Sequence, residues 1–250
     1  MRNIQTLNLL IMTLLFVTSV FPQEKINRTD ENGLKHGLWK GKYERTENLK
    51  YEGTFEHGKE VGKFTFYENI KEKKVVATRE FTQGKDEAYT IFYNGKFKVS
   101  EGWVRNREYD GEWRYYHYNS PAIMTLENYK NGKLEGVRKV FYEGGAIAEE
   151  AVYKDGIKNG SYKKYSENGV VLEESNFKNG EYDGVYINRE ADDKIILSGQ
   201  YKNGKSVGIW KHYKNGKLVK EENRSEKKKA RPKVTGERKR AKLNVKPLKE

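Results

Sequence analysis

The sequence predicts an all-β fold: an elongated antiparallel sheet of about eight β-hairpin repeats, preceded by a signal segment and followed by a disordered or partly helical basic tail. Three observations predict it. The chain of 250 residues is 35% hydrophobic and 34% charged, which leaves little apolar material for a thick core. That apolar content is weighted toward rings, with 18 Tyr, 10 Phe and 4 Trp, side chains that suit half-buried strand faces. Finally, one glycine and aromatic phrase returns at intervals of 23 to 26 residues.

Residues 1–23 read as a secretory signal, with Arg2 at the start, an apolar run from Leu9 to Val17, and small polar residues before Pro22. The run is short for a spanning helix, and cleavage after Ser19 suits the small-residue preference. The alternative is an uncleaved membrane anchor through residues 4–21. Either reading exports the bulk of the chain, to the periplasm or beyond. With no cysteine, disulfides, thiolate zinc sites and a lipid-anchored cysteine are all excluded.

Residues 24–224 carry the repeats. The anchor is a glycine at Gly37, Gly62, Gly111, Gly136, Gly160, Gly184 and Gly208, with Ala88 filling the gap between the second and third. Four residues earlier comes another glycine, often after Asn or Asp as in Asn131-Gly132 and Asn203-Gly204, the pairs that accept positive φ in a type I′ turn. Seven residues before the anchor is an aromatic such as Phe55, Tyr129 or Tyr201. Two residues after it come Trp39, Phe64, Trp113, Tyr162, Tyr186 and Trp210, with Thr90 and Arg138 in weaker units. A two-residue loop puts these rings and the anchor on one apolar sheet face.

The same pairing sets Gly53 opposite Gly62, Gly102 opposite Gly111 and Gly199 opposite Gly208, and bare strand backbone of that kind calls for a covering ring. An aromatic five residues past the anchor, as at Tyr67, Tyr116 and Tyr165, requires either a bulge or packing outside the main row. Second turns are marked by Asn94-Gly95, Gly144-Gly145, Asn168-Gly169 and Asn215-Gly216. The first unit, around Asp30 to Tyr43, breaks the pattern and is the candidate cap.

At YEGTFEHGKEVGKF, the order Tyr51, Gly53, Phe55, Gly58, Gly62 resembles the membrane occupation and recognition nexus (MORN) repeat. Units with the wording Tyr-Lys-Asn-Gly-Lys are similar to the bacterial variant of that repeat in YwqK-family antitoxin proteins. The resemblance covers about residues 30 to 222. It implies a hairpin-repeat sheet without enzymatic activity, acting as scaffold, lipid-associated module or partner of a toxin. The later glycine of the MORN pattern, two past the anchor, is replaced here by aromatic and other residues.

Residues 225–250 contain 11 Lys and Arg against 3 Glu, most of the net charge of +13. Lys227, Lys228, Lys229, Arg231, Arg238, Lys239 and Arg240 are the candidate anion-binding residues, set against the alternative of an inert solvated tail.

No catalytic, cofactor or metal site is predicted. His36, His57, His117 and His212 fall at different places in their units, and no phosphate-binding loop or nucleophile elbow occurs. The stretch Gly102 to Tyr118 concentrates Trp103, Trp113, Tyr115, Tyr116 and Tyr118, resembles the repeats of choline-binding cell-wall modules, and is the candidate ligand surface. The functional expectation is a non-enzymatic exported binding or scaffold protein for a protein partner, envelope polymer or anionic membrane surface. The alternatives are an antitoxin or immunity-type neutraliser and a choline- or glycan-binding module. Nucleic acid is disfavoured, because it conflicts with the export signal.

Overall fold

The computed structural model describes residues 25–225, and the signal segment and the basic run after Ser225 lie outside the described residues. The described chain is all-β and antiparallel, in two compact units, the first ending at Lys85 and the second beginning at Asp86. The first unit holds β1 (Arg28–Thr29), β2 (Lys35–Lys42), β3 (Leu49–Glu56), β4 (Lys59–Tyr67) and β5 (Val75–Phe81), each paired with the next in sequence where pairing is defined from β1 to β5. The second unit opens with β6 (Glu87–Asn94), β7 (Phe97–Arg105), β8 (Glu108–Tyr116) and β9 (Ile123–Lys130). It continues through β10 (Lys133–Leu134), β11 (Gly136–Phe141), β12 (Ile147–Lys154), β13 (Ile157–Tyr165) and β14 (Val171–Lys178). It ends with β15 (Glu181–Tyr182), β16 (Gly184–Arg189), β17 (Ile195–Lys202), β18 (Lys205–Lys214) and β19 (Lys217–Asn223). Here too the strands follow one another as a meander, the short β10 and β15 being the first halves of strands interrupted before β11 and β16.

The expected tight turns form. Lys130 pairs with Lys133 across Asn131 and Gly132, whose φ values of 48° and 73° are those of a type I′ turn. Asn106 and Arg107 take φ of 48° and 67°, so the one unit lacking the turn glycine keeps the turn. The glycine N–H in these turns reaches back to the hairpin before it: Gly132 to Tyr109 O, Gly156 to Leu134 O, Gly180 to Lys158 O and Gly204 to Tyr182 O, at 2.8 to 2.9 Å. Two expectations are corrected. The turn expected at Asn94-Gly95 is made by Gly95 and Lys96, since Asn94 is still paired, with Phe97. In the first unit, Asp30 to Leu34 form a longer loop closed by Asp30 N–H to Leu34 O.

The main correction concerns register. Thr54 pairs with Val61 and Glu52 with Thr65, so Gly53 alone on β3 faces Gly62, Lys63 and Phe64 on β4. The anchor glycine, at φ 63°, is a bulge residue. It does not pair with Gly53, and the same shift separates Gly102 from Gly111, because Gly102 pairs directly with Trp113. At β17–β18 the shift falls between Ser198 and Gln200, which removes the expected pairing of Gly199 with Gly208. Two extra residues keep side-chain alternation in phase, whereas one would turn every later ring to the other face.

The covering rings are where the bare glycines require them. A Cβ on Gly53, Gly102 or Gly199 would land in the ring of Phe64, Trp113 or Trp210 respectively. Those three rings are fully buried. The second unit therefore carries an alternating large and small row, in which Trp113 follows Gly102, Tyr162 lies between Ala151 and Ser175, and Tyr186 pairs with Gly199. Aromatic contacts bind the row together: Tyr109 stacks on Trp113 at 3.8 Å, and Tyr201 meets Trp210 edge-on at 5.0 Å.

Candidate functional site

The opposite face of each unit is built differently. Glu52 precedes Gly53 and by alternation points away from the rings, as do Glu101 and Glu150 at the same place in their repeats. Each accepts a hydrogen bond from the tyrosine 15 residues on: Tyr67 to Glu52, Tyr116 to Glu101, and Tyr165 to Glu150 at 2.8 Å. Alternation from Phe64, Trp113 and Tyr162 carries these tyrosines, three residues on, to this face, so they pack outside the main row; the extra residue of the adjacent register shift lies on the neighbouring strand, at Val76, Met124 and Leu172. Burial, and then the hydrogen bond to its glutamate, pushes the phenols of Tyr67 and Tyr165 up to about 12. Lys139 pairs with Glu150 at 3.3 Å, and Lys98 with Glu101 at 2.8 Å. Burial would raise the Glu101 carboxyl, but hydrogen bonds from Lys98 and Tyr116 outweigh it and hold the group below its ordinary value.

Among these paired charges runs an exposed apolar line in the second unit. Val137, Val185 and Ile209, each one residue past an anchor glycine, are 42%, 53% and 50% exposed. They pair across the sheet with Val152, Gln200 and Asn223, and Ser161 at the intervening repeat pairs with Asn176. The spacing of 24 residues makes the line visible in the sequence, and alternation from the slot residue that follows each position sets it on the face away from the rings.

The predicted ligand surface is divided. Trp113 is fully buried over Gly102, with Tyr115 beside it at 6.3 Å and hydrogen-bonded to the Tyr129 hydroxyl at 3.3 Å. Trp103 and Tyr116 belong to the other face, where Trp103 meets Tyr89 at 5.4 Å and Tyr116 binds Glu101. Tyr118 is 83% exposed in the following loop. The five rings therefore build no common cage. Of the predicted repeat residues, Trp39 and Tyr186 are half-buried, and Arg138 replaces the aromatic by bonding Glu127 at 2.8 Å and Glu149 at 3.0 Å. The seven tail residues from Lys227 to Arg240 lie outside the described residues. A shallow depression between turns is lined by Lys130, Asn131, Lys133, Glu135, Lys154 and Asp155.

The histidines are not all unrelated, contrary to what their positions within the repeats imply. In the first unit His57 Nδ1 is 2.7 Å from Asp30 Oδ2, and the His36 ring lies 4.9 Å from the His57 ring, centre to centre. Among the described residues no helix is long and apolar enough to cross a membrane.

No family model matches the chain, and no curated protein matches it. A comparison with solved structures returns the crystal structure of a GtfA/B complex, at 19% identity and a TM-score of 0.26, covering 37% of this chain and 19% of the other. At that level the likeness carries no argument.

Proposed function

We propose that the chain is a non-enzymatic, exported binding module with MORN-like repeats, which presents the charged face of its second unit to a protein partner. The observation that carries this reading is the repeated line of Val137, Val185 and Ile209, apolar side chains left exposed at one register position and bordered by amide and valine neighbours. Around them, carboxylates are occupied by tyrosine and lysine partners, which favours recognition by shape over chemistry at this face. Export rests on residues 1–23, and a second, anionic contact rests on residues 225–250.

The test is the triple substitution Val137→Lys, Val185→Lys and Ile209→Lys. Exposed positions of this kind change stability by no more than about 0.5 kcal/mol each, so circular dichroism stays that of the parent. Cross-linking in the native cell should capture a partner with the parent chain and lose it with the triple variant. Equal capture by both, or substrate turnover by the purified chain, overturns the reading. Removal of residues 225–250 separates a tail contribution, which would fall steeply with added salt.

A further inference from the structure

We infer that Asp30, His36 and His57 form a binding site for a borderline divalent metal ion of the zinc class. One ligand atom from each residue lies within 4.8 Å of the others. The three come from separate places, the loop after β1, the start of β2, and the β3–β4 turn, so the fold and not local sequence assembles them.

Each residue carries a mark of the role. Asp30 Oδ1 accepts the N–H groups of Asn32 and Leu34, both at 2.9 Å, which fixes the carboxylate and leaves Oδ2 directed at His57. His36 Nδ1 is buried without a hydrogen-bond partner among the described residues, an atom that a metal would satisfy. His57 occupies the first position of a type I′ turn, φ 48°, where other turns of this chain use Asn or Asp. Its imidazole is 66% exposed, so it can rotate to close the remaining distance. Of the nearby cations, Lys35 lies over the rings of Trp39 and Phe55 at 4.9 and 4.7 Å, and Arg28, paired across the sheet with His36, packs its guanidinium over Gly37.

Two imidazoles and one carboxylate suit zinc, copper or nickel rather than calcium or magnesium, which prefer all-oxygen shells. Three protein ligands leave a fourth tetrahedral position for water. A bound ion would tie the irregular first loop to the turn of the next hairpin.

The experiment is zinc titration of the metal-stripped full chain by calorimetry, with histidine ring signals followed by nitrogen-edited NMR. Saturable uptake of about one equivalent is expected, moving the ring signals of His36 and His57 together while those of His117 and His212 hold. His57→Asn restores the turn residue used elsewhere and should fold normally, yet weaken binding by about tenfold or more. His36→Gln, which leaves the turn untouched, should do the same. Absence of uptake, equal affinity in parent and variants, or movement of one imidazole alone overturns the assignment.

Discussion

The β7–β8 hairpin and the hairpin of β9 with β10 and β11 share a turn geometry, a glycine bulge and a register shift, yet fill the same central slot with opposite chemistry. In the first, Trp113 lies over bare Gly102. In the second, the buried Glu127 carboxylate holds Arg138 at 2.8 Å. Register is therefore set by the backbone, through the anchor glycine and turn, while the slot demands only that its two occupants complete each other. A ring needs no side chain opposite. A guanidinium needs a carboxylate.

The largest break in this comparison is Trp113→Ala, which removes a fully buried indole, its stacking with Tyr109 and its 2.9 Å hydrogen bond to Trp103 O. A loss of about 3–5 kcal/mol is expected in urea unfolding followed by far-ultraviolet circular dichroism. Next comes Arg138→Met, which leaves Glu127 buried without its cation and with only phenols beside it, the Tyr129 hydroxyl at 2.6 Å among them, for a loss of about 3 kcal/mol. Combining Glu127→Gly with Arg138→Trp should recover most of that loss if the two slots are equivalent, and a strongly destabilised double variant would show that they are not. Gly102→Ala drives a methyl into the Trp113 ring and should cost about 1–3 kcal/mol, with a shift in tryptophan fluorescence.

The smallest effect separates the hairpins by pH. Glu101 on β7 has a folded value held below its ordinary 4.5, so its contribution is present above that value and is lost as pH falls through the depressed one. Glu101→Gln should flatten the acid limb of the stability profile, measured as urea midpoints from about pH 6 down to about pH 2. An unchanged acid limb would place the acid sensitivity elsewhere.

The turns and the rings over glycine were legible because each has a local signature: Asn-Gly for positive φ, and a glycine in a strand for a missing side chain. The register shift was not. Pairing by loop length predicts Gly53 against Gly62, and nothing in simple alternation says that Gly62 and Lys63 are extra residues. Arg138 read as a weak unit because its partner, Glu127, is matched to it only after the shift. The His36, His57 and Asp30 cluster was hidden for a related reason, since His57 belongs to the repeat after the one that holds Asp30 and His36. One signal was present, a histidine at the turn position where Asn and Asp stand elsewhere.

The backward hydrogen bonds of the turn glycines give assembly a direction. Each of these turns docks on a carbonyl that precedes it in the chain, from Gly132 on Tyr109 to Gly204 on Tyr182. A polypeptide emerging with its N-terminus first thus finds every docking point already made, and growth proceeds on a finished template. Loss of an early hairpin would deprive its successors of that template, whereas loss of the last would cost only itself.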